Sequence, residues 1–153
     1  YLQFTSSSYL DKDELFNLSD LIEDTINKYN NKNISKNITS RVYFNGRKSL
    51  IKRCINNLID NSIKYGDEVK IELSKKNNNL FIKIEDDGPG IPEQEYENVF
   101  KPFYKIDKAR ADSKSSVGLG LSIASDIIQS HGGNIKLEKS PLSGLSVKIF
   151  LPV

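Results

Sequence analysis

Hydrophobic side chains recur at helical spacing in three parts of the chain. Over residues 47–65 they return every three or four positions, which predicts a helix with one broad buried face. The same spacing predicts a helix that begins at Ser19 as N-cap and runs to about Tyr29, and another over residues 118–131. The buried face of the longest helix is predicted to contain Leu50, Ile51, Cys54, Ile55, Leu58, Ile59 and Ser62.

Alternation of apolar and polar residues predicts strands. Residues 69–74 and 80–85 alternate on either side of three consecutive asparagines, a pattern typical of a hairpin. A second hairpin is predicted from residues 134–139 and 145–151, which flank a turn at residues 141–144. Helices combined with hairpins predict an α+β fold, in which helices pack on one face of a mixed, mostly antiparallel sheet.

The remaining segments are shorter or more polar. Residues 41–44 are a strand candidate, residues 94–100 are a candidate short helix, and residues 101–116 show no clear periodicity. The serine-rich stretch 1–12 resembles the end of a linker from a preceding domain, which leaves residues 13–153 as one folded domain. Because the chain opens without Met and in mid-pattern, we expect it to be a piece of a longer protein.

Composition excludes several classes of protein. A length of 153 residues with 37% hydrophobic and 27% charged residues is ordinary for a soluble domain. The net charge of +2 gives no argument for nucleic acid, and we expect none as a partner. No apolar run approaches the roughly 20 residues that span a bilayer. Cys54 cannot form an internal disulfide, because it is the only cysteine.

The first of two glycine motifs is Asp86-Asp87-Gly88-Pro89-Gly90, directly after a predicted strand. A carboxylate at the back of an apolar pocket accepts a hydrogen bond from the exocyclic amine of adenine and repels the carbonyl of guanine. Gly88 and Gly90 would let the backbone approach a purine ring closely. The same dipeptides also form ordinary turns, so the motif alone leaves both interpretations open.

Two asparagines lie beside the apolar face of the longest predicted helix. At about 100° per residue, Asn57, Asn61 and Lys64 fall on one stripe beside that face. Asparagine is about 0.5 kcal/mol worse than alanine in a helix, so its repetition suggests a need for amide oxygens. Magnesium takes oxygen ligands and shares them with phosphates and water. A solvated helix flank is the alternative.

The second glycine motif, Val117-Gly118-Leu119-Gly120-Leu121, opens a predicted helix. A helix N-terminus presents free N–H groups and a partial positive charge to an anion such as phosphate. The basic segment before it, with Lys105 and Arg110, suggests a mobile lid over phosphates, whereas tight helix packing is the alternative. His131 precedes two glycines at a helix end, where capping is favoured over catalysis.

With these motifs in this order, the whole chain resembles the catalytic and ATP-binding domain of bacterial sensor histidine kinases, especially osmosensor kinases of the EnvZ type. Residues 57–65 match the N box of the family, residues 86–90 its G1 box, residues 100–103 its F box and residues 118–121 its G2 box. The resemblance implies the Bergerat (GHKL) fold, a two-layer α/β sandwich that binds ATP under a lid, here at about residues 101–117.

The resemblance also implies roles for individual residues. Asn61 should bind Mg²⁺ with the assistance of Asn57, Asp86 should hold the adenine amino group, and Tyr65 should pack against the base. The remaining positions matched to ATP binding or catalysis are Lys64, Gly88, Gly90, Ile91, Lys105, Ile106, Arg110, Val117, Gly118, Leu119, Gly120 and Leu121. Lys64, Lys105 and Arg110 should face the phosphates, and the amides of residues 118–121 should cradle them.

Departures from the family pattern and competing interpretations remain. Ser116 stands where the family usually has a glycine, and Lys105 replaces a frequent arginine, which loses a bidentate phosphate contact. Related ATPases such as gyrase and MutL carry a glutamate four residues before the metal asparagine. Here that position is Asn57, whose amide cannot accept a proton, so hydrolysis is disfavoured as the main task. A non-catalytic nucleotide-binding regulatory module is disfavoured by the intact Asn61 and Asp86.

The kinase interpretation implies partners outside this chain. The γ-phosphoryl group of ATP should pass to a histidine on a separate dimerisation domain and then to a response regulator. His131 lacks an adjacent acid, so the acceptor histidine is expected elsewhere. We expect this piece to be monomeric, the parent to be a homodimer, and this domain to be the cytoplasmic part of an inner-membrane sensor.

Overall fold

The computed structural model describes residues 12–29, 33–101 and 117–153, with the side chains of residues 117–120 left undescribed. Two short 3-10 turns, Glu93–Glu95 and Asn98–Phe100, lie between the fifth strand and the third helix. In chain order the other elements are β1 (Glu14–Asn17), α1 (Leu18–Asn27), β2 (Asn33–Ile38), β3 (Tyr43–Gly46), α2 (Lys48–Tyr65), β4 (Glu68–Lys76), β5 (Asn79–Asp86), α3 (Val117–Ser130), β6 (Asn134–Lys139) and β7 (Leu145–Pro152).

A five-stranded sheet forms one layer of the fold, in the order β2-β4-β5-β7-β6. β2 is parallel to β4, and the other three pairings are antiparallel. Along β4, Val69 and Ile71 are buried while Lys70 between them is exposed, so one face of the sheet is covered and the other is open to solvent. Helices α2 and α3 pack on the covered face. The predicted α+β arrangement is therefore confirmed.

Helix α2 supplies the centre of the core. All seven residues of its predicted face are buried, and Cys54 and Ile59 are completely inaccessible. Burying a leucine or isoleucine side chain contributes about 1.5–3 kcal/mol relative to leaving it exposed. The face that stabilises the helix against the sheet therefore also fixes the direction of the asparagines on its flank.

The structure corrects several boundaries. Asn17, not Ser19, is the N-cap of α1, because its side chain accepts a hydrogen bond from the N–H of Asp20. Ser19 is buried inside the helix, where its Oγ donates to the carbonyl of Thr39 and accepts from the N–H of Val42. The candidate short helix at 94–100 consists of the two 3-10 turns.

Strands β1 and β2 lack the clear alternation of apolar and polar residues from which the strands of the two hairpins were predicted. β1 pairs antiparallel with β3 in a separate two-stranded sheet, and β2 is an edge strand with only its two isoleucines half-buried. The predicted linker at 1–12 and the predicted lid at 101–117 lie almost wholly outside the described residues. None of the helices that the structure describes is long and apolar enough to cross a membrane.

Candidate functional site

A cleft opens between α2, the segment after β5, the first turns of α3, and β7. It encloses about 360 Å³, counting its mouth to solvent. Its walls come from four elements that are distant in the sequence, and most of them are apolar. The lining residues are Leu58, Asn61, Ser62, Tyr65, Asp86, Gly90, Ile91, Leu121, Leu145 and Val147.

Asp86 is the acidic residue of this cleft. It ends β5 and only 4% of its surface is exposed. Its Oδ1 accepts hydrogen bonds from the N–H of Gly88 at 2.9 Å and the N–H of Leu145 at 3.2 Å. Hydrogen bonds to a carboxylate are roughly twice as strong as neutral ones, so these two donors fix the orientation of the side chain. The structure thus holds a carboxylate in a set orientation among apolar walls.

The neighbouring Asp87 has a different role. Its Oδ1 accepts hydrogen bonds from the N–H groups of Asp67 and Glu68, at 2.7 and 3.0 Å. These bonds lower the pKa of Asp87, the bond from Glu68 contributing most. Asp87 therefore secures the connection between α2 and β4. Of the two adjacent acids, Asp86 lines the cleft and Asp87 holds the backbone behind it.

Gly88 is required by close packing. A Cβ at this position would lie 2.4 Å from the carbonyl oxygen of Tyr65, which belongs to the backbone and cannot rotate away. The segment after β5 thus approaches the end of α2 to a distance that only glycine permits. This approach brings Asp86 beside Tyr65, and both residues line the cleft.

Helix α2 delivers Asn61 and Tyr65 to the cleft from successive turns. The Asn61 Nδ2 is buried and has no hydrogen-bond partner among the residues that the structure describes. Nδ2 and Oδ1 exchange places when the amide rotates by 180°, so the buried position can present a carbonyl oxygen. A single amide oxygen is a ligand that Mg²⁺ accepts in proteins, so the side chain of Asn61 fits that ion.

The other predicted site residues lie in three different settings. Asn57, one turn before Asn61, and the exposed Lys64 do not line the described cleft. Residues 117–120 form the first turn of α3, whose leading N–H groups have no partners within a helix. Leu121 follows and lines the cleft. Lys105, Ile106 and Arg110 lie outside the described residues.

Four lining residues were not predicted as site residues. Leu58 and Ser62 belong to the predicted apolar face of α2, and the only available signal was a polar residue, Ser62, at a buried position. Leu145 and Val147 come from β7, where Val147 is paired with Ile84 of β5. Their position in the cleft depends on the pairing of β7 with β5, for which the local sequence gives no signal.

His131 lies outside the cleft and links two helices. Its Nδ1 is 2.7 Å from the carbonyl oxygen of Ile127, and its Nε2 accepts a hydrogen bond from the N–H of Arg47 at 3.1 Å. The proton therefore lies on Nδ1 of a neutral ring. Burial, together with the charge of Arg47, lowers the pKa of His131 below its ordinary value. These hydrogen bonds join the end of α3 to the start of α2.

Comparisons with known proteins agree with this geometry. A family model described as "Histidine kinase-, DNA gyrase B-, and HSP90-like ATPase" matches residues 46–153. The sensor histidine kinase GtrS of Pseudomonas aeruginosa is 37% identical over 107 residues, which are 70% of this chain and 22% of GtrS. The sensor histidine kinase CpxA of Escherichia coli K12 is 34% identical over 109 residues, 71% of this chain and 24% of CpxA. The chain thus spans under a quarter of the length of these relatives.

Solved structures share the fold over nearly the whole chain. The mycobacterial sensor histidine kinase MprB matches with a TM-score of 0.79 and 24% identity, covering 92% of this chain and 97% of that one. The ATP-binding domain of PrrB from Mycobacterium tuberculosis matches with a TM-score of 0.74 and 26% identity, covering 93% and 98%. The predicted fold class is confirmed, and the chain belongs to the family of histidine kinase-, DNA gyrase B- and HSP90-like ATPases.

Proposed function

We propose that this chain is the ATP-binding catalytic domain of a sensor histidine kinase, and that it transfers the γ-phosphoryl group of ATP to a histidine on another domain. The observation that carries the proposal is the buried Asp86 carboxylate, which is fixed by two backbone N–H groups in a mostly apolar cleft. Sequence similarity to sensor histidine kinases supports this choice within the family.

Adenine recognition rests on Asp86. A purine placed between Tyr65 and Ile91 would bury its ring against their side chains and bring its exocyclic amine to the carboxylate. A hydrogen bond to a charged group contributes about 1.5–3 kcal/mol. A 6-oxo purine would place a carbonyl oxygen there, which the carboxylate repels. We therefore infer a site for adenosine nucleotides.

Phosphate binding rests on the start of α3. The first turn of this helix begins at Val117, and Leu121, one turn later, lines the cleft. Phosphates extending from the cleft toward this turn would meet free N–H groups and the positive end of the helix dipole. Lys64, Lys105 and Arg110 are proposed to add positive charge around them. The domain would act by positioning the nucleotide and neutralising its charge.

Magnesium would be held by Asn61, with Asn57 assisting from the preceding turn. The ion would shield the phosphate oxygens and polarise the transferred group. Asn57 cannot act as a general base, because an amide does not accept a proton at neutral pH. Water would therefore remain unactivated at this position, which favours transfer to a histidine over hydrolysis.

The assignment implies a larger protein. We propose that the acceptor histidine lies on a dimerisation domain in the same parent chain, and that a response regulator receives the phosphoryl group. The parent would be a homodimeric inner-membrane sensor with this domain in the cytoplasm and this isolated piece monomeric. Assignment to the EnvZ type within the kinases stays a prediction.

Calorimetry tests the proposal directly. The wild-type chain should bind ADP at least tenfold more tightly than GDP, and Asp86→Asn should weaken ADP binding by at least about tenfold, the lower end of the value of a charged hydrogen bond. Asp24→Asn, the same change on an exposed position of α1, should leave both affinities unchanged. Equal affinity for the two nucleotides in the wild type would refute the proposed site.

A transfer assay tests the reaction itself. With labelled ATP and Mg²⁺, the chain should label a histidine on the dimerising hairpin of its parent when this is supplied as a separate polypeptide. The rate should be low, because untethered pieces lose the effective concentration, often millimolar, that a short linker provides. Release of inorganic phosphate without any labelled histidine would instead identify an ATPase.

A further inference from the structure

The turn between β6 and β7 reaches across the fold to Asp86. It is closed by hydrogen bonds from the N–H of Ser140 to the carbonyl of Gly144 and from the N–H of Ser143 to the carbonyl of Ser140, at 2.8 and 2.9 Å. The N–H of Gly144 donates to the backbone carbonyl of Asp86 at 3.1 Å, and the next N–H, of Leu145, donates to its carboxylate. Two consecutive amides of this turn thus bond to one residue.

Gly144 makes this approach possible. A Cβ at Gly144 would lie 2.2 Å from Asp86 Oδ1, 2.4 Å from the Asp86 carbonyl oxygen and 2.6 Å from the Gly88 nitrogen. Two of these atoms belong to the backbone, so no side-chain rotation relieves the overlap. Any larger residue would push the turn and the carboxylate apart. The hydrogen bonds of Leu145 and Gly144 to Asp86 would then lengthen or break.

We propose that Gly144 is a positioning residue for base recognition: by having no side chain, it lets the β6–β7 turn clamp Asp86 in the orientation that selects an amino purine. The inference rests on the proposed function, since it concerns the same cleft. It assigns the selectivity of the cleft to a turn outside the two glycine motifs that mark it in the sequence.

The purine 6-position provides the most direct measure. ADP and inosine diphosphate differ there as amine and carbonyl, so the ratio of their affinities reports the orientation of the Asp86 carboxylate. The wild type should prefer ADP at least about tenfold. Gly144→Ala should reduce this ratio several-fold in a chain that is still folded by circular dichroism. A purely structural role for Gly144 would lower stability and leave the ratio unchanged.

Gly133→Ala is the matched control. A Cβ at Gly133 would lie 2.0 Å from the carbonyl oxygen of Phe150, an equally severe overlap at the other end of the β6–β7 hairpin and away from the cleft lining. This variant should lose stability but keep the wild-type ratio. A fall of the ratio in Gly133→Ala equal to that in Gly144→Ala would overturn the inference, because general destabilisation would then explain both.

A double mutant tests whether Gly144 acts through Asp86. In the Asp86→Asn background the ratio has already fallen, so adding Gly144→Ala should change it little, whereas independent effects would add. Additivity would overturn the inference. A wild type without any preference for ADP would overturn the proposed function as well, whereas a folded Gly144→Ala with an unchanged ratio overturns the positioning role alone.

A second variant decides the matter if Gly144→Ala does not fold. Replacing Leu145 by its α-hydroxy analogue through nonsense suppression removes the N–H that donates to Asp86 Oδ1 and keeps the side chain, while the carbonyl of Gly144 becomes a weaker acceptor for the N–H of Ser140. The turn then loses its described hydrogen bond to the carboxylate, and the ratio should fall. An unchanged ratio in this variant would refute the clamp.

Discussion

His131 provides a test of structure that is independent of the cleft. It is the only histidine of the chain, and in the proposed histidine kinase a histidine attracts a catalytic interpretation. Its two ring nitrogens are both engaged, one with the carbonyl of Ile127 and the other with the N–H of Arg47. We predict that His131→Ala destabilises the fold and leaves nucleotide binding intact.

The expected magnitude follows from the interactions that the imidazole ring makes. Without the ring, the N–H of Arg47 would lose its acceptor, at a cost of about 1–2 kcal/mol because this donor is only partly buried. The carbonyl of Ile127 would keep the Ser130 hydroxyl, which also donates to it at 2.7 Å. Packing of the ring against Phe44, at 5.7 Å between centroids, adds about 0.5–1.5 kcal/mol. The free energy of unfolding should therefore fall by about 1.5–3.5 kcal/mol in His131→Ala.

The pH dependence supplies a second signature. Because burial lowers the pKa of His131 in the folded state, folding favours the neutral ring. Its contribution is fully present above the unfolded pKa of about 6.5 and is lost as pH falls from there through the folded value. Wild-type stability should therefore decline over this range with a component that His131→Ala lacks. For one proton that component cannot exceed about 1.4 kcal/mol per pH unit.

Urea denaturation at a series of pH values between 5 and 8 measures both effects. Gln129→Ala, on the exposed side of the same helix end, should change the free energy of unfolding by less than about 0.5 kcal/mol. The reasoning would be refuted by a His131→Ala variant of wild-type stability. It would also be refuted by a variant that keeps the full pH dependence, or by one that stays stable but no longer binds ADP.

Three further predictions concern the metal, the thiol and the site of phosphorylation. Asn61→Ala should leave the chain folded but abolish the gain in ATP affinity that Mg²⁺ provides. If calorimetric titrations of this variant with and without Mg²⁺ still show the gain, another residue holds the ion. Cys54, fully buried with its pKa raised to about 12, should react with a thiol reagent at pH 8 only after denaturation, and rapid reaction of the native chain would contradict its burial. Incubated alone with labelled ATP, the chain should carry no label on His131, as acid-labile phosphate analysis can check.

The sequence by itself determined the elements whose stability comes from a single periodic face. Every residue of the predicted face of α2 is buried, because seven apolar or small residues at helical spacing leave only one way to exclude water. Both predicted hairpins are present for the same reason, with alternation deciding which side is covered. Asp86 could be located at a strand end because the strand and the glycine motif adjoin in the chain.

The formation and the ends of elements that bury little surface depend on their contacts with the rest of the fold. β2 has one parallel neighbour and buries little, so its sequence shows no clear alternation. Both Asn17 and Ser19 are residue types that cap helices. Asn17 is the N-cap of α1 because the Ser19 hydroxyl is used in buried hydrogen bonds with Thr39 and Val42. A local sequence pattern cannot predict a hydrogen bond to a residue such as Thr39, which lies twenty positions from Ser19.

The residues of the cleft also fall into those that the sequence predicted and those that only strand pairing brings to the site. Asn61 and Asp86 follow from motifs, because each lies on an element whose own periodicity fixes its direction, whereas Tyr65 was expected from the family resemblance. Leu145 reaches Asp86 across 59 residues of chain, with Gly144 next to it, and the antiparallel pairing of β5 with β7 brings them there. The sequence determined which chemical groups are present, whereas the register of the sheet decided which backbone amides hold the carboxylate, since strand pairing is a long-range interaction that no single segment encodes.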